Sequence, residues 1–311
     1  MSYTAAESAS KSERTSRLIC EFRCCTSLSR HTSEQARAAA LPLPNTRPPV
    51  AGAEHRAARR LRCSVHPYEE GIGQMSNSQR VAIITGASQG IGESLVTAYR
   101  KLGFAVVANS RTIAESDDPT VVTVPGDIGQ PGVGQRIVDV ATENFGRVDT
   151  VVNNAGIFIA KPFTDYTDED YDAVTGVNLR GFFEVSRAAV AAMLSREGGG
   201  HIVNVSTSLV DHANSAVPSA LASLTKGGLN AVTKALAIEY AGRGIRANAV
   251  ALGVIRTPMH DPSSYHTLAK LHPVGRLGEV DDVVDAVLYL ENAGFVTGEL
   301  LYVDGGQSAG H

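Results

Sequence analysis

Between a short Val/Ile run and an amphipathic stretch stands Thr85-Gly86-Ala87-Ser88-Gln89-Gly90-Ile91-Gly92. Glycines at 86, 90 and 92 permit a tight turn, close approach of backbone to a pyrophosphate, and packing of a following helix whose N-terminus faces the phosphate oxygens. In a strand-turn-helix setting that chemistry is dinucleotide binding. Farther along, three hydroxyls in a row (Ser206, Thr207, Ser208), Asn178 and Lys226 offer groups that can donate hydrogen bonds or move protons. His260, His266 and His272 recur every six residues, which does not place a metal pair on one helical face. Cys20, Cys24 and Cys25 lack a second ligand pair at metal-site spacing, so no metal is expected.

These groups need elements to hold them. Strands are expected over Val81 to Thr85, Phe104 to Asn109, Val121 to Val124, Thr150 to Asn153, His201 to Val205, Ile245 to Val250 and Leu300 to Val303. Most are unbroken Val/Ile/Ala runs, as strands buried on both faces require. Helical periods fill the intervals at Ile91 to Leu102, Val133 to Phe145, Ala173 to Leu194, Pro218 to Tyr240 and Val280 to Glu291. The alternation predicts an α/β architecture: a doubly wound parallel sheet of about seven strands, with helices on both faces. Its ligand site then lies at the carboxyl ends of the strands.

Composition narrows the possibilities. The 311 residues are 43% apolar and 19% charged, and the net charge of -4 gives no general attraction to nucleic acid or anionic lipid. No apolar run of about 18 residues suggests a membrane span. The average hides a division near Met75. Residues 1–74 hold all four cysteines and carry a charge of +4, whereas residues 75–311 carry -8. The first segment is rich in Ser and Arg, contains Leu41-Pro42-Leu43-Pro44 and Pro48-Pro49, and lacks periodicity, so it is expected to be a disordered or leader-like extension. Met75 is then a candidate start of the folded chain, and residues 75–311 read as one nucleotide-binding domain. That domain has no cysteine, needs no oxidising compartment, and is expected in the cytoplasm.

The glycine spacing, Asn153-Asn154-Ala155-Gly156, Val177-Asn178-Leu179, Thr225-Lys226-Gly227-Gly228-Leu229 and Val303-Asp304-Gly305-Gly306 together resemble the short-chain dehydrogenase/reductase family. The resemblance spans about Val81 to Gly306 with the motifs in the family's order. It implies an NAD(P)-binding Rossmann fold. Gly86, Ser88, Gln89, Gly90, Ile91, Gly92, Asp127, Ile128, Asn154, Ala155, Gly156, Lys226 and Thr257 would contact the dinucleotide, with Asp127 near the adenine and Lys226 at the nicotinamide ribose. Ser110 stands where NAD-type members place Asp, and Arg111 follows as in many NADP-type members, which implies NADP(H). Gln89 does not add the second basic residue often found in phosphate-selective members, so NAD(H) stays possible.

The resemblance also implies a catalytic Tyr four residues before Lys226, a Ser that positions substrate, and Asn178 holding a proton-relay water. Position 222 is Ala. No tyrosine occurs between Tyr171 and Tyr240, so no shift of register restores one. Ser208 is the expected substrate-positioning hydroxyl by its distance from Lys226, with Thr207 the alternative by strand alignment. Two function classes follow. In the first, the chain is an oxidoreductase acting on a small carbonyl or alcohol, its proton coming from Ser208, Ser223, His212, or a water held by Lys226 and Asn178. In the second, it binds the dinucleotide with little or no catalysis, as a redox sensor or partner subunit. The loops Leu209 to Val217 and Ile255 to Pro273 should form the substrate pocket, and the histidines of the second do not specially indicate a steroid or long acyl chain. Pairing through the two long helices into a homodimer or homotetramer is expected.

Overall fold

The computed structural model describes residues 79–310. The extension expected over residues 1–74, together with Met75, lies outside them. Seven strands, β1 (Val81–Thr85), β2 (Ala105–Ser110), β3 (Val121–Pro125), β4 (Thr150–Asn153), β5 (Gly200–Thr207), β6 (Ile245–Leu252) and β7 (Leu300–Val303), form one sheet. Their order is β3-β2-β1-β4-β5-β6-β7, with every pairing parallel. The chain winds one way from β1 to β3, then crosses back to place β4 on the other side of β1. The crevice between β1 and β4 is therefore the topological switch point, where ligands of such sheets bind.

The helices are α1 (Gly90–Lys101), α2 (Val133–Phe145), α3 (Asp168–Thr175), α4 (Phe182–Leu194), α5 (Ala220–Tyr240), α6 (Tyr265–Ala269) and α7 (Val280–Asn292). Two cores result, one on each face of the sheet. Val81, Ile83, Val107, Val151 and Ile202 meet α2 and α4 on one side. Ile84, Val106, Val152, Val203 and Val250 meet Leu95 and Tyr99 of α1 and Val283, Val287 and Leu290 of α7 on the other. Both faces being covered explains why the strands read as solid apolar runs.

The single helix expected over Ala173 to Leu194 is broken. A π-helical turn, Gly176–Gly181, separates α3 from α4. Close packing explains it: a Cβ on Gly181 would lie 2.8 Å from Ile128, and Gly176 packs against Gly129. The wide turn brings Asn178 against Ile157 (Ile157 N to Asn178 Oδ1, 3.0 Å; Asn178 Nδ2 to Ile157 O, 3.1 Å). Wide turns of this kind commonly mark functional sites.

At the amino ends of β4, β5 and β6, away from the switch point, lies a buried polar cluster. The Glu291 carboxylate accepts from His201 Nδ1 (2.9 Å), Thr150 Oγ1 (3.1 Å) and Tyr99 OH (3.2 Å). Asn248 Nδ2 donates to His201 Nε2 at 3.0 Å, which fixes the tautomer with its proton on Nδ1. Arg246 donates to the carbonyls of Leu290, Glu291 and Val296, closing the end of α7.

Candidate active site

Where β1 and β4 part, four hydrogen bonds fasten their carboxyl ends. Thr85 Oγ1 accepts from the backbone N–H of Asn154 (3.1 Å) and Ala155 (3.0 Å), and Asn154 Nδ2 donates to the carbonyls of Thr85 (2.9 Å) and Gly86 (3.2 Å). Gly86 takes φ +67° there, and a Cβ on it would stand 2.9 Å from Ala155 Cα. Gly92 is tighter still, since its Cβ would lie 2.1 Å from the Gly86 carbonyl oxygen. Helix α1 can thus drop directly onto the turn, with its N-terminus open toward the crevice. This cradle, which any side chain would fill, fits a dinucleotide pyrophosphate.

A cleft of about 850 Å³ runs along the carboxyl ends of the strands. Of the residues expected to contact the cofactor, Gly86, Ser88, Gln89, Gly90, Ile91, Ser110, Arg111, Asp127, Ile128, Asn154, Ala155, Gly156, Lys226 and Thr257 all line it. Gly92 does not; it is buried beneath the turn. Thr257 packs over the turn, 3.6 Å from where a Cβ on Gly90 would be. Arg111 is exposed at the end of β2, beside Ser110, whose hydroxyl accepts from the Thr112 N–H at 3.3 Å. Asp127 closes a turn through its own carboxylate, which accepts from Gly129 N at 2.9 Å.

At the other end of the cleft, α5 presents Lys226 one turn beyond Ala222, whose methyl group also lines the wall. Lys226 Nζ donates to the Val205 carbonyl at 2.7 Å, its one protein partner among the described residues. Gly156 makes room for it: a Cβ there would be 3.0 Å from Nζ. Burial without a neighbouring carboxylate holds the amine down to about 8.

The remaining expected groups sort clearly. Ser208 is fully buried, with Leu252 O at 3.2 Å and Gln307 Oε1 at 3.3 Å from its hydroxyl, because a short 3-10 turn over Ser208–Val210 rotates it inward. Thr207, the last residue of β5, is half-buried; it lines the cleft together with Ser208, and its hydroxyl also donates to Leu252 O, at 3.3 Å. Asn178 is not in the lining. Its amide bonds Ile157 and Thr225 Oγ1 (3.2 Å), so its side chain braces α5 and the segment after β4. His212 and Ser223 lie outside the lining as well, and Ser223 donates to Leu209 O at 3.3 Å.

The first of the three consecutive hydroxyls, Ser206, differs from the other two. Ser206 lines the cleft, is 4% exposed, and its hydroxyl has no protein partner. Alternation along β5 puts it on the side of Asn204, which bonds Thr233 of α5, so it shares the face from which Lys226 enters. A buried hydroxyl without a partner is costly unless a ligand or water satisfies it.

The pocket past Lys226 also departs from expectation. Phe158, Leu209, Val217, Met259, Leu268 and Leu271 line it, each from a loop or from α6, so the lobe is markedly apolar. His272 is not in this lining; its Nε2 accepts from Val254 N at 2.9 Å and fixes the start of the loop after β6.

The family model described as enoyl-(acyl carrier protein) reductase matches residues 86–308. L-xylulose reductase of Mus musculus is 38% identical over 241 residues, covering 73% of this chain and 96% of its own. Among solved structures, 3-ketoacyl-(acyl-carrier-protein) reductase from Brucella melitensis complexed with NADH is 32% identical with a TM-score of 0.68, covering 74% of this chain and 98% of that one. ElxO with NADP bound is 27% identical with a TM-score of 0.70, covering 75% of this chain and all of that one. The matched span contains both the glycine turn and Lys226, and the sheet is the seven-stranded parallel one expected. The chain belongs to the short-chain dehydrogenase/reductase family of NAD(P)-dependent oxidoreductases.

Proposed function

We propose that the protein transfers hydride between NADP(H) and a small carbonyl/alcohol pair, with Lys226 in place of a phenol as the proton source. The observation that carries this reading is the continuous cleft from the glycine turn to Lys226, with the Ala222 methyl in the wall where the family's tyrosine is expected. The bound nicotinamide supplies or accepts the hydride. The chain's own groups do the rest. Backbone N–H groups of the turn and the positive end of α1 hold the pyrophosphate. Lys226 has three N–H donors and one protein acceptor, which leaves it free to bond the nicotinamide ribose and to face the substrate oxygen. Thr207 orients that oxygen, and the Ser206 hydroxyl, unpartnered in the cleft wall, is available to the ligand. Residues 75–311 act as one unit in this reading.

An ammonium that titrates near 8 gives a direct expectation. Below that value Lys226 carries the proton that reduction consumes, and above it the proton is gone. Carbonyl reduction at saturating NADPH should therefore fall about tenfold per pH unit above about 8, while alcohol oxidation should rise through the same region. A reduction rate that stays level to pH 10 would count against Lys226 as the source.

NADP(H) is preferred in this reading because the end of β2 offers an exposed guanidinium and no carboxylate. NADPH should bind more tightly than NADH in a fluorescence titration, and Arg111→Ala should weaken NADPH about tenfold while leaving NADH unchanged. Equal affinities for the two cofactors remove the preference. NAD(H) remains usable, since Gln89 adds no second cation.

Ala222 also favours a second reading, a dinucleotide-binding protein with little or no turnover. Subunit pairing through α4 and α5 fits the exposed Phe183, Leu224 and Ile238 on those helices, and a homodimer or homotetramer is part of the proposal.

A further inference from the structure

The part of the cleft beyond Lys226 has a composition that discriminates between substrate classes. Phe158, Leu209, Val217, Met259, Leu268 and Leu271 converge there from three loops and α6, and Phe158 and Met259 are 36% and 60% exposed. Partly exposed large apolar side chains gathered in a concavity mark a surface that a ligand covers. The lining holds two cations, Arg111 after β2 and Lys226, and two carboxylates, Asp127 after β3 and Asp172 on α3. The lining residues after β4, β5 and β6 include no Lys or Arg other than Lys226. His260 does not change this, because burial lowers its pKa and keeps the imidazole neutral.

Besides Lys226, the hydrogen-bonding side chains in the lining from β5 onward are few: Ser206, Thr207, Ser208, Thr257, His260 and Gln307. The Thr207 hydroxyl already accepts from Leu209 N (3.3 Å) and has Leu252 O at 3.3 Å. Ser208 and the Gln307 carbonyl oxygen are turned toward each other. A polyhydroxylated substrate would bury several hydroxyls against carbon there, each at a net cost. A carboxylate, phosphate or coenzyme A ester would find no fixed cation other than the one needed for the reaction.

We infer that the substrate is a neutral, largely apolar ketone or the corresponding secondary alcohol, with its carbonyl oxygen at Lys226 and its hydrocarbon portion against Leu268 and Leu271. This rests on the oxidoreductase reading above but is separable from it. It also differs from what the name of the mouse relative would suggest, since a ketopentose has little carbon surface to offer this lobe.

Binding, not turnover, is the primary test. The full-length protein saturated with NADP is titrated calorimetrically with 2-alkanones from butanone to octanone, with a ketopentose, and with acetoacetyl-coenzyme A. Affinity should rise by up to about fourfold per added methylene, with the ketopentose and the thioester weaker than octanone. Leu268→Gln, which keeps side-chain length and helical propensity, should flatten that rise while NADPH binding stays as in the wild type. Tightest binding by the ketopentose or the thioester overturns the inference, and so does an alkanone series with no dependence on length. If the alkanones bind as expected but neither the wild type nor Ala222→Tyr transfers hydride to them, the oxidoreductase reading falls while the substrate class stands. If turnover occurs and favours the ketopentose, the reverse holds.

Discussion

Carbonyl reduction by Ala222→Tyr should exceed that of the wild type by about 10²-fold or more, the range in which a positioned general acid acts. Residue 222 lies in the cleft wall one turn before Lys226, so a phenol there would stand beside an ammonium that favours its ionised form and lowers its pKa. Ala222 is 3% exposed, so the new ring must extend into the cleft and not into the core. The measurement is NADPH oxidation on a panel of ketones under single-turnover conditions, which separates chemistry from product release. An unchanged rate, with NADPH binding intact, would show that the site is organised around a different donor. The Lys226 pH profile should then disappear in the active variant, because the tyrosine takes over the proton.

The second large effect is on stability. Glu291→Ala should destabilise the fold by about 3–5 kcal/mol, the cost of stripping one member from a buried polar cluster and leaving the rest unpaired. His201, Thr150 and Tyr99 would each lose their acceptor at once. Burial works to raise the Glu291 carboxyl, but its hydrogen bonds from His201, Thr150 and Tyr99 outweigh this and keep it below its ordinary value. His201 is lowered, chiefly by burial. Both shifts mean that the unfolded chain binds protons more readily than the folded one, so acid removes stability: first as pH falls below the ordinary imidazole value of 6.5, then further through the carboxylate range. Thermal melts of the wild type between pH 8 and 4 should fall steeply, and those of Glu291→Ala should start lower and fall less through the carboxylate range. A melting temperature unaffected by the substitution would show that the cluster contributes little.

Much of this was legible in the chain. The bounds of β1, β4, β7 and α2 agree with the sequence reading because each is a buried run stopped by residues that end regular structure, such as Gly86, Asn154, Asp304 and the αL cap at Gly146. β5 runs two residues farther than expected because Ser206 and Thr207 look like loop residues, whereas their backbone groups are paired with Ala251 and Leu252. The π turn escapes a periodicity argument since one extra residue does not disturb the spacing of apolar side chains enough to show. Distance along the chain favours Ser208 and strand alignment favours Thr207, and with a short 3-10 turn starting at Ser208 both line the cleft. The apolar lobe was invisible for another reason. No single loop contributes more than a few of its residues, so it exists only once three segments distant in sequence meet.

The stitching of β1 to β4 has a consequence for how this protein can change over time. Thr85, Asn154 and the glycine turn complete the floor of the crevice with bonds among themselves, and none of those bonds involves residue 222, Ser206 or Thr207. The floor beneath the pyrophosphate and the wall at residue 222 therefore stand on opposite flanks of β4, and in the proposed reading Lys226 alone serves both the cofactor and the proton. Loss of a phenol on α5 leaves the floor untouched. A lineage can pass through such a loss without forfeiting the fold, and from there either recover chemistry with another donor or keep the cleft as a receptor.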